Sequence, residues 1–421
     1  MRAVYFSLAA LIAAICIKTF GNGMLSALLP LDIEARGMGT ATAGWVGTSY
    51  GAGFLVGCIF APDLVRRVGH IRVFAAFSSL FGTIVLAFPA IPDPVAWSVL
   101  RGLTGFAMAS LSTVADGWVS ARCTPEIRGR VMSVYMLFSK IAILAGPAAL
   151  SFMTLNEPWP YMLAASVFML AIVPVALSTS AAPSVPAPGR LTPARLYSIA
   201  PAAVIGCFGI GMLNGAVTSL VPLYGTQSGL STAHAALLVS ALQGGALLMQ
   251  WPIGWWSDKR DRRLIIMGAT GVTCAASLIL ALWIAPPVWL IFAVSVVWGG
   301  ASLSIYAICI AHGSDKAGDE RLIIPLCASL LLVWASGATI GPVVASLLME
   351  WWGPSALFAY ATVVAALITA FIAYRIRTSP ATSAAGSQPF VNVPASSPTV
   401  ATLDPRAPND QVVKEDPPAG K

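Results

Sequence analysis

Residues 20–41, FGNGMLSALLPLDIEARGMGTA, and residues 212–233, MLNGAVTSLVPLYGTQSGLSTA, read as two copies of one element. At a constant offset of 192, Asn22-Gly23 meets Asn214-Gly215, Leu28 meets Leu220, and Pro30-Leu31 meets Pro222-Leu223. Gly37 then meets Gly229, and Thr40-Ala41 meets Thr232-Ala233, which makes eight identities in 22 positions. Two Leu/Ala/Gly-rich helices resemble one another by chance, but paired Asn-Gly and Pro-Leu steps are not generic membrane composition. Further on, Gly146-Pro147 matches Gly341-Pro342 at an offset of 195. The chain therefore reads as a doubled unit. Parallel halves of this kind enclose a cavity at their interface, near the bilayer midplane, that opens to alternate sides.

Composition places that unit in lipid. Of 421 residues, 57% are hydrophobic and only 10% charged, and the mean hydropathy is +0.81. A soluble domain carries roughly 25% charged residues, so polar groups are too scarce here to cover a water-exposed surface. A bilayer core takes about 20 apolar residues per helix. Six such stretches lie near 5–30, 43–62, 72–91, 95–121, 129–154 and 159–178, and six more near 197–224, 235–256, 264–285, 287–312, 322–349 and 354–376. Pro, Gly and charged residues punctuate them, as at Pro62-Asp63, Pro92-Asp93-Pro94, Pro286-Pro287 and Gly353-Pro354. The expected architecture is all-α and polytopic, with twelve transmembrane helices in two pseudo-symmetric six-helix bundles. The first apolar run continues to Pro30 with no small-residue cleavage site, so a retained first span is expected.

Charge tests the count. Arg66, Arg67 and Arg72 fall between spans two and three, and Arg122, Arg128 and Arg130 between four and five. Arg190 and Arg195 follow span six, Lys259, Arg260, Arg262 and Arg263 follow eight, Lys316 and Arg321 follow ten, and Arg375 and Arg377 follow twelve. The opposite loops hold Arg36 beside Asp32, Glu34, Asp93 and Glu157. Twelve spans put every basic cluster on one side, and the positive-inside rule makes that side, with both termini, cytoplasmic in a bacterial inner membrane. Clustered between apolar runs, the net charge of +7 calls for no nucleic-acid partner. Residues 1–178 and 197–376 are expected as the two bundles, 179–196 as a cytoplasmic linker, and the Pro/Ser/Ala-rich stretch 377–421 as a disordered tail without chemistry. The seven cysteines make no metal spacing and are expected to stay unpaired.

Several motifs resemble those of the major facilitator superfamily, over about residues 5–376. Gly254-Trp255-Trp256-Ser257-Asp258-Lys259-Arg260-Asp261-Arg262-Arg263 is similar to the family's loop motif. The resemblance implies that Asp258 with Lys259, Arg262 and Arg263 belongs to a cytoplasmic charge network that holds one closed state. In the first half Arg67-Val68-Gly69-His70 fits, but Arg66 stands where the acid is expected and Asp63 lies three residues early. Arg101-Gly102-Leu103-Thr104-Gly105 looks like the family's intramembrane Arg motif, and Pro125-Glu126-Ile127-Arg128-Gly129-Arg130 like its usual approach to span five. Asp116-Gly117-Trp118, followed by Arg128-Gly129-Arg130 and Tyr135, is similar to a bacterial branch that includes the YcaD-like transporters.

Three cations lie deep in the first half: Lys18, Arg101 and Lys140. At about 1.5 Å per residue, Lys18 stands roughly 20 Å from either end of its span and Lys140 roughly 15 Å from the cytoplasmic end of its own. A cation at the midplane costs about 2.5–3.5 kcal/mol even on the mildest scale, so each should face a cavity or a partner. One reading is a cationic half-site for an anionic or strongly hydrogen-bonding solute, with Asn22 beside it. The other is that these residues bond backbone carbonyls or buried acids and lock helices together. Asp116 is either a proton-coupling carboxylate or, the reading preferred here, a gating partner of Arg67 or Arg130. The second half offers neutral groups: Asn214, Gln243, Gln250, Trp298, Tyr306 and Trp334. Gln243 and Gln250 share a helix face, where they either read a planar solute or pack between helices. His70, His234 and His312 fall near span ends and are expected at the surface.

No Walker A, HExxH or Gly-x-Ser-x-Gly sequence occurs, which speaks against an ATP-driven pump and a catalytic site. No cofactor or metal is expected. The expected function is alternating-access secondary transport of a small organic solute, anionic or polar aromatic, with uptake of a nutrient or vitamin favoured and protons as a possible co-substrate. Export of a metabolite or drug is the alternative, and a non-transporting membrane sensor a further one. A monomer in the lipid bilayer is the default state.

Overall fold

A computed structural model describes residues 2–122, 125–155, 157–176, 189–283, 286–379 and 390–403. The first half contains α1 (Arg2–Ala35), α2 (Thr40–Val68), α3 (His70–Ala90), α4 (Pro94–Arg122), α5 (Pro125–Leu150) and α6 (Trp159–Leu170, continued past Ala171 by Ile172–Ala176). The second contains α7 (Pro201–Gln227), α8 (Thr232–Lys259), α9 (Arg262–Leu282), α10 (Val288–Ala317), α11 (Ile323–Trp352) and α12 (Ala356–Thr378). Among the described residues, eleven helices are long and apolar enough to cross a membrane. The other, α4, has 29 residues and carries Arg101, Asp116 and several Ser and Thr on the face it turns inward.

The repeated sequence element is one hairpin built twice. Gly37 at φ 66° and Gly229 at φ 87° occupy the left-handed region between α1 and α2 and between α7 and α8, where a side chain would be strained. Thr40 and Thr232, the matched pair, are the first residues of the helices that follow. The Gly-Pro match has the same origin. A Cβ added to Gly146 would stand 2.3 Å from the carbonyl oxygen of Phe20, and one added to Gly341 would stand 2.2 Å from that of Met212. Phe20 and Met212 are themselves equivalent at the offset of 192. Each glycine thus seats the fifth helix of its half directly on the first.

The halves meet along α2 with α11, α5 with α8, and α1 with α7. They are tied at the end opposite the basic loops. Gln227 Nε2 donates to Thr40 Oγ1 at 3.0 Å and to Glu34 Oε2 at 3.3 Å, joining the two hairpins. Thr48 Oγ1 donates to the Thr339 carbonyl at 2.8 Å, and Ser240 Oγ to that of Leu144 at 2.8 Å. At the basic end a short helix, Pro193–Ile199, capped by Thr192, belongs to the connection between halves.

One expectation needs correcting here. Of the stretch 377–421, expected as a disordered tail, residues 380–389 and 404–421 lie outside the described residues; among the rest, α12 runs to Thr378, and residues 390–403 lie between the halves at the basic end, finishing in a 3₁₀ turn, Pro398–Leu403. Ser397, Pro398, Thr399 and Val400 are buried. Composition misses this because it weighs the segment alone, whereas its hydroxyls and amides find their partners on α4 and α8. His70 and His312, expected at the surface, are also buried, at 2% and 3% exposure; His234 is exposed.

Candidate functional site: a central cavity between the halves

Where α1, α2, α4, α7, α8 and α11 converge, they leave a cavity of about 290 Å³, at the low end of the roughly 300–1,000 Å³ usual for small-molecule sites. Its lining holds six larger polar groups, Asn22, Tyr50, Arg101, Asn214, Gln243 and Trp334, with the hydroxyls of Ser26, Thr218 and Ser219 beside them; Leu25, Phe54, Ile143 and Leu303 supply apolar wall. Asn22 and Asn214, equivalent in the repeat, face one another's space across the interface. Five of these six polar groups are among the site residues expected from the sequence. Tyr50, in the unremarkable stretch Ser49-Tyr50-Gly51, is an addition that only the fold reveals.

Arg101 is 7% exposed. Its guanidinium lies 4.1 Å from the centre of the Tyr50 ring, a cation–π contact that stabilises the charge without using any N–H. The Tyr50 hydroxyl in turn donates to Asn22 Oδ1 at 3.4 Å. Arg101 Nη1 is buried and has no protein partner, and the same is true of Trp334 Nε1. The Trp334 ring is held edge-on by Phe54, at 6.4 Å, and by Tyr306, at 5.9 Å. Asn214 Oδ1 accepts from Ser302 Oγ at 2.7 Å, which leaves its N–H₂ group as the donor on offer. Arg101 and Trp334 thus bring donors without protein partners, while Ser26 and Thr218, whose hydroxyls donate to the Gly23 and Asn214 carbonyls, bring acceptor oxygens.

Lys18 and Lys140 do not line it. Lys18 is 4% exposed and donates to Ser112 Oγ at 2.7 Å; Lys140 is half-buried on α5, one turn from Ile143. Asp116, one turn from Ser112 on α4, is fully buried. The preferred pairing of Asp116 with Arg67 or Arg130 is not what forms. Both arginines are exposed at the basic end, while the Asp116 carboxylate accepts from Tyr135 Oη at 2.8 Å, Ser396 Oγ at 2.6 Å and Ser397 Oγ at 2.7 Å. A wholly buried carboxylate is satisfied by converging hydroxyls, which the long, hydrated arginines at the surface need not follow inward. Trp298 is a packing residue, its Nε1 donating to Ser277 Oγ at 2.9 Å. Gln250, two turns from Gln243, bonds Asn392 instead of reaching the cavity.

The charged loop of the second half closes on itself. Arg262 pairs with Asp315 at 2.6 Å and with Asp258 at 3.6 Å, and donates to Ser257 Oγ at 2.8 Å. Arg263 pairs with Asp261 at 2.7 Å and reaches the Arg375 carbonyl at 3.1 Å. Partial burial pushes the Asp261 carboxyl up, but the hydrogen bonds and charge of Arg263 outweigh it, so its pKa lies below the ordinary value. Lys259 is exposed over the Trp255 ring, 3.4 Å from its centre. Asp315 is the acid the sequence reading missed; it stands in Ser314-Asp315-Lys316, where the neighbouring lysine drew the topological argument.

A polytopic helical membrane protein, with two matched six-helix halves around a central polar cavity, is the class these features define. The sequence profile of the Major Facilitator Superfamily matches residues 11–322, and the chain belongs to that superfamily of transporters. YcaD, an uncharacterized MFS-type transporter, is 25% identical in both Salmonella arizonae and Salmonella typhimurium, over 358 residues covering 83% of this chain and 90% of the relative. The fold is shared with a crystal structure of the nucleoside transporter NupG (TM-score 0.75, 11% identity, 88% of this chain and 100% of that one). It is also shared with a bacterial homologue of the lysosomal transporter Spinster in an inward-facing, occupied conformation (TM-score 0.73, 14% identity, 88% and 96%).

Proposed function

We propose that this transporter carries a small organic solute bearing a carboxylate or comparably acceptor-rich group, and that it does so by alternating access as a secondary transporter. The observation that carries the reading is that two residues of one cavity lining, Arg101 and Trp334, each hold a buried donor nitrogen without a protein partner. An unsatisfied buried donor costs about 1–3 kcal/mol, more when charged, and a ligand oxygen offsets that cost on arrival. Tyr50, Phe54 and Trp334 add aromatic wall, which suits an acid with a planar body. The basic end is taken as cytoplasmic, in a bacterial inner membrane, with the chain acting as a monomer. The ties between hairpins then lie on the outer side, so the cavity faces inward.

Uptake of a nutrient or vitamin is the favoured direction, because a cationic cavity suits anionic nutrients better than cationic drugs. Coupling is assigned to a proton or solute gradient; two proteins of the same fold, FucP and a D-xylose carrier, are described as proton symporters. The test is a thermal-shift screen of purified protein across organic acids, vitamins and nucleosides, followed by flux of the stabilising compound in vesicles of both orientations. A ligand at 100 times its Kd stabilises by about 2.7 kcal/mol. Arg101→Ala should abolish both the shift and the flux. An acid transported equally well by that variant would end the proposal.

A further inference from the structure

Residues 390–403, FVNVPASSPTVATL, fill the gap that separates the halves at the basic end, touching α2, α4, α5 and α11 through their last turn. They are fastened to both halves. On the second, the Phe390 backbone N–H donates to Asp258 Oδ1 at 2.7 Å, the Phe390 ring lies over Gly254 so closely that a Cβ there would meet it at 2.4 Å, and Asn392 Oδ1 accepts from Gln250. On the first, Ser396 and Ser397 both donate to Asp116 Oδ2. Thr399 Oγ1 donates to the Thr113 carbonyl at 3.0 Å, and Ser120 Oγ to that of Thr402 at 3.0 Å. Ala395 reaches the floor of the central cavity.

We propose that this segment is a self-plug. It closes the cavity's remaining exit and, by filling the gap while bonded to both α4 and α8, fixes the separation of the halves there, so that the transporter is locked in one state until the segment withdraws. The binding groove is specific: a buried carboxylate reads two adjacent hydroxyls, an amide reads an amide, and Gly254 leaves the space an aromatic ring needs. Withdrawal frees Asp116, Gln250 and Asp258 together, coupling release of the plug to the charge loop of the second half. The assignment rests on the transport reading only for what the plug regulates; the groove and its occupant stand on the contacts alone.

The test uses the full chain with a reporter thiol, Gly117→Cys, in inverted vesicles. A Cβ at Gly117 meets Thr399 Oγ1 at 3.9 Å, so the thiol fits beneath the plug and is covered by it. Its labelling by a membrane-impermeant maleimide, mapped by peptide mass, is compared with and without Ser396→Glu/Ser397→Glu, which sets like charge against Asp116. Labelling should rise by about tenfold or more, the factor expected from losing a charge-assisted hydrogen bond, and synthetic peptide 390–403 should restore protection. Should the charged variant fail to fold, Ser396→Ala/Ser397→Ala carries the same comparison. Equal labelling with and without the substitutions overturns the plug. Increased labelling, with none of the screened organic acids, vitamins or nucleosides carried by either protein, upholds the plug and overturns the transport reading instead.

Discussion

Replacing Trp334 by Phe separates a residue kept for binding from one kept for packing, because the two readings predict opposite signs. The indole Nε1 is buried without a partner, and such a group costs about 1–3 kcal/mol. Phe keeps an aromatic edge between Phe54 and Tyr306 and forfeits only the outer part of the indole, on the order of 1 kcal/mol of buried apolar contact. The unliganded variant is therefore expected to be as stable as the parent, or more stable by up to about 2 kcal/mol. Affinity should move the other way. A hydrogen bond to a charged acceptor contributes about 1.5–3 kcal/mol, so an anionic solute should bind roughly 10–100-fold more weakly. Thermal unfolding in detergent, run with and without the solute, reads both quantities in one experiment. A clear fall in the unliganded Tm with affinity untouched would show that the indole N–H serves the fold, and the donor argument would be refuted.

Gly146→Ala and Gly341→Ala should each destabilise by about 1–3 kcal/mol through overpacking, despite the better helix propensity of Ala, and by similar amounts, since the added methyls meet equivalent carbonyls; thermal unfolding compares them. Asp315→Ala removes the nearer of the two acids on Arg262, in a site where both side chains of the pair are nearly inaccessible (2% and 3%), and leaves it Asp258 and Ser257; the cost should be about 3 kcal/mol, the low end for a broken buried pair, part of it recovered in the double variant Arg262→Leu/Asp315→Leu. For Asp261, the folded pKa lies below the ordinary 3.8, so the stabilisation from Arg263 is complete above that pH and drains away as pH falls through and below it. Asp261→Asn should flatten that acid limb of the unfolding profile while lowering stability at neutral pH.

Much of the architecture was legible because both of its determinants are local. Apolar runs and loop charges mark where helices enter and leave, and the repeated hairpin announces itself through glycines whose backbone angles no other residue adopts easily. Arg101, Asn22, Asn214, Gln243 and Trp334 could be nominated from depth and polarity alone. What depth does not give is direction around the helix axis. Lys18 is as deep as any of them, yet it bonds Ser112 and does not line the cavity. Nor does local sequence show which groups meet across long separations. Tyr50 under Arg101, Asp315 beside Arg262, and the tail serines on Asp116 are all contacts of the tertiary fold, between residues unremarkable where they stand.

The polar burden of α4 bears on how the protein is made. Among the described residues eleven helices are long and apolar enough to cross a membrane, but α4 carries a buried arginine and a buried aspartate, charges that cost about 2.5–3.5 kcal/mol each at the centre of a bare bilayer. Its insertion must lean on a companion already in place, and α2, whose Gly53 receives the Gly102 carbonyl at a spot where a Cβ would stand only 1.9 Å away, is the natural chaperone. A bulky residue at Gly53 should then betray itself during biogenesis, as loops reported on the wrong face of the membrane by reporter fusions, before any defect in the finished carrier is felt.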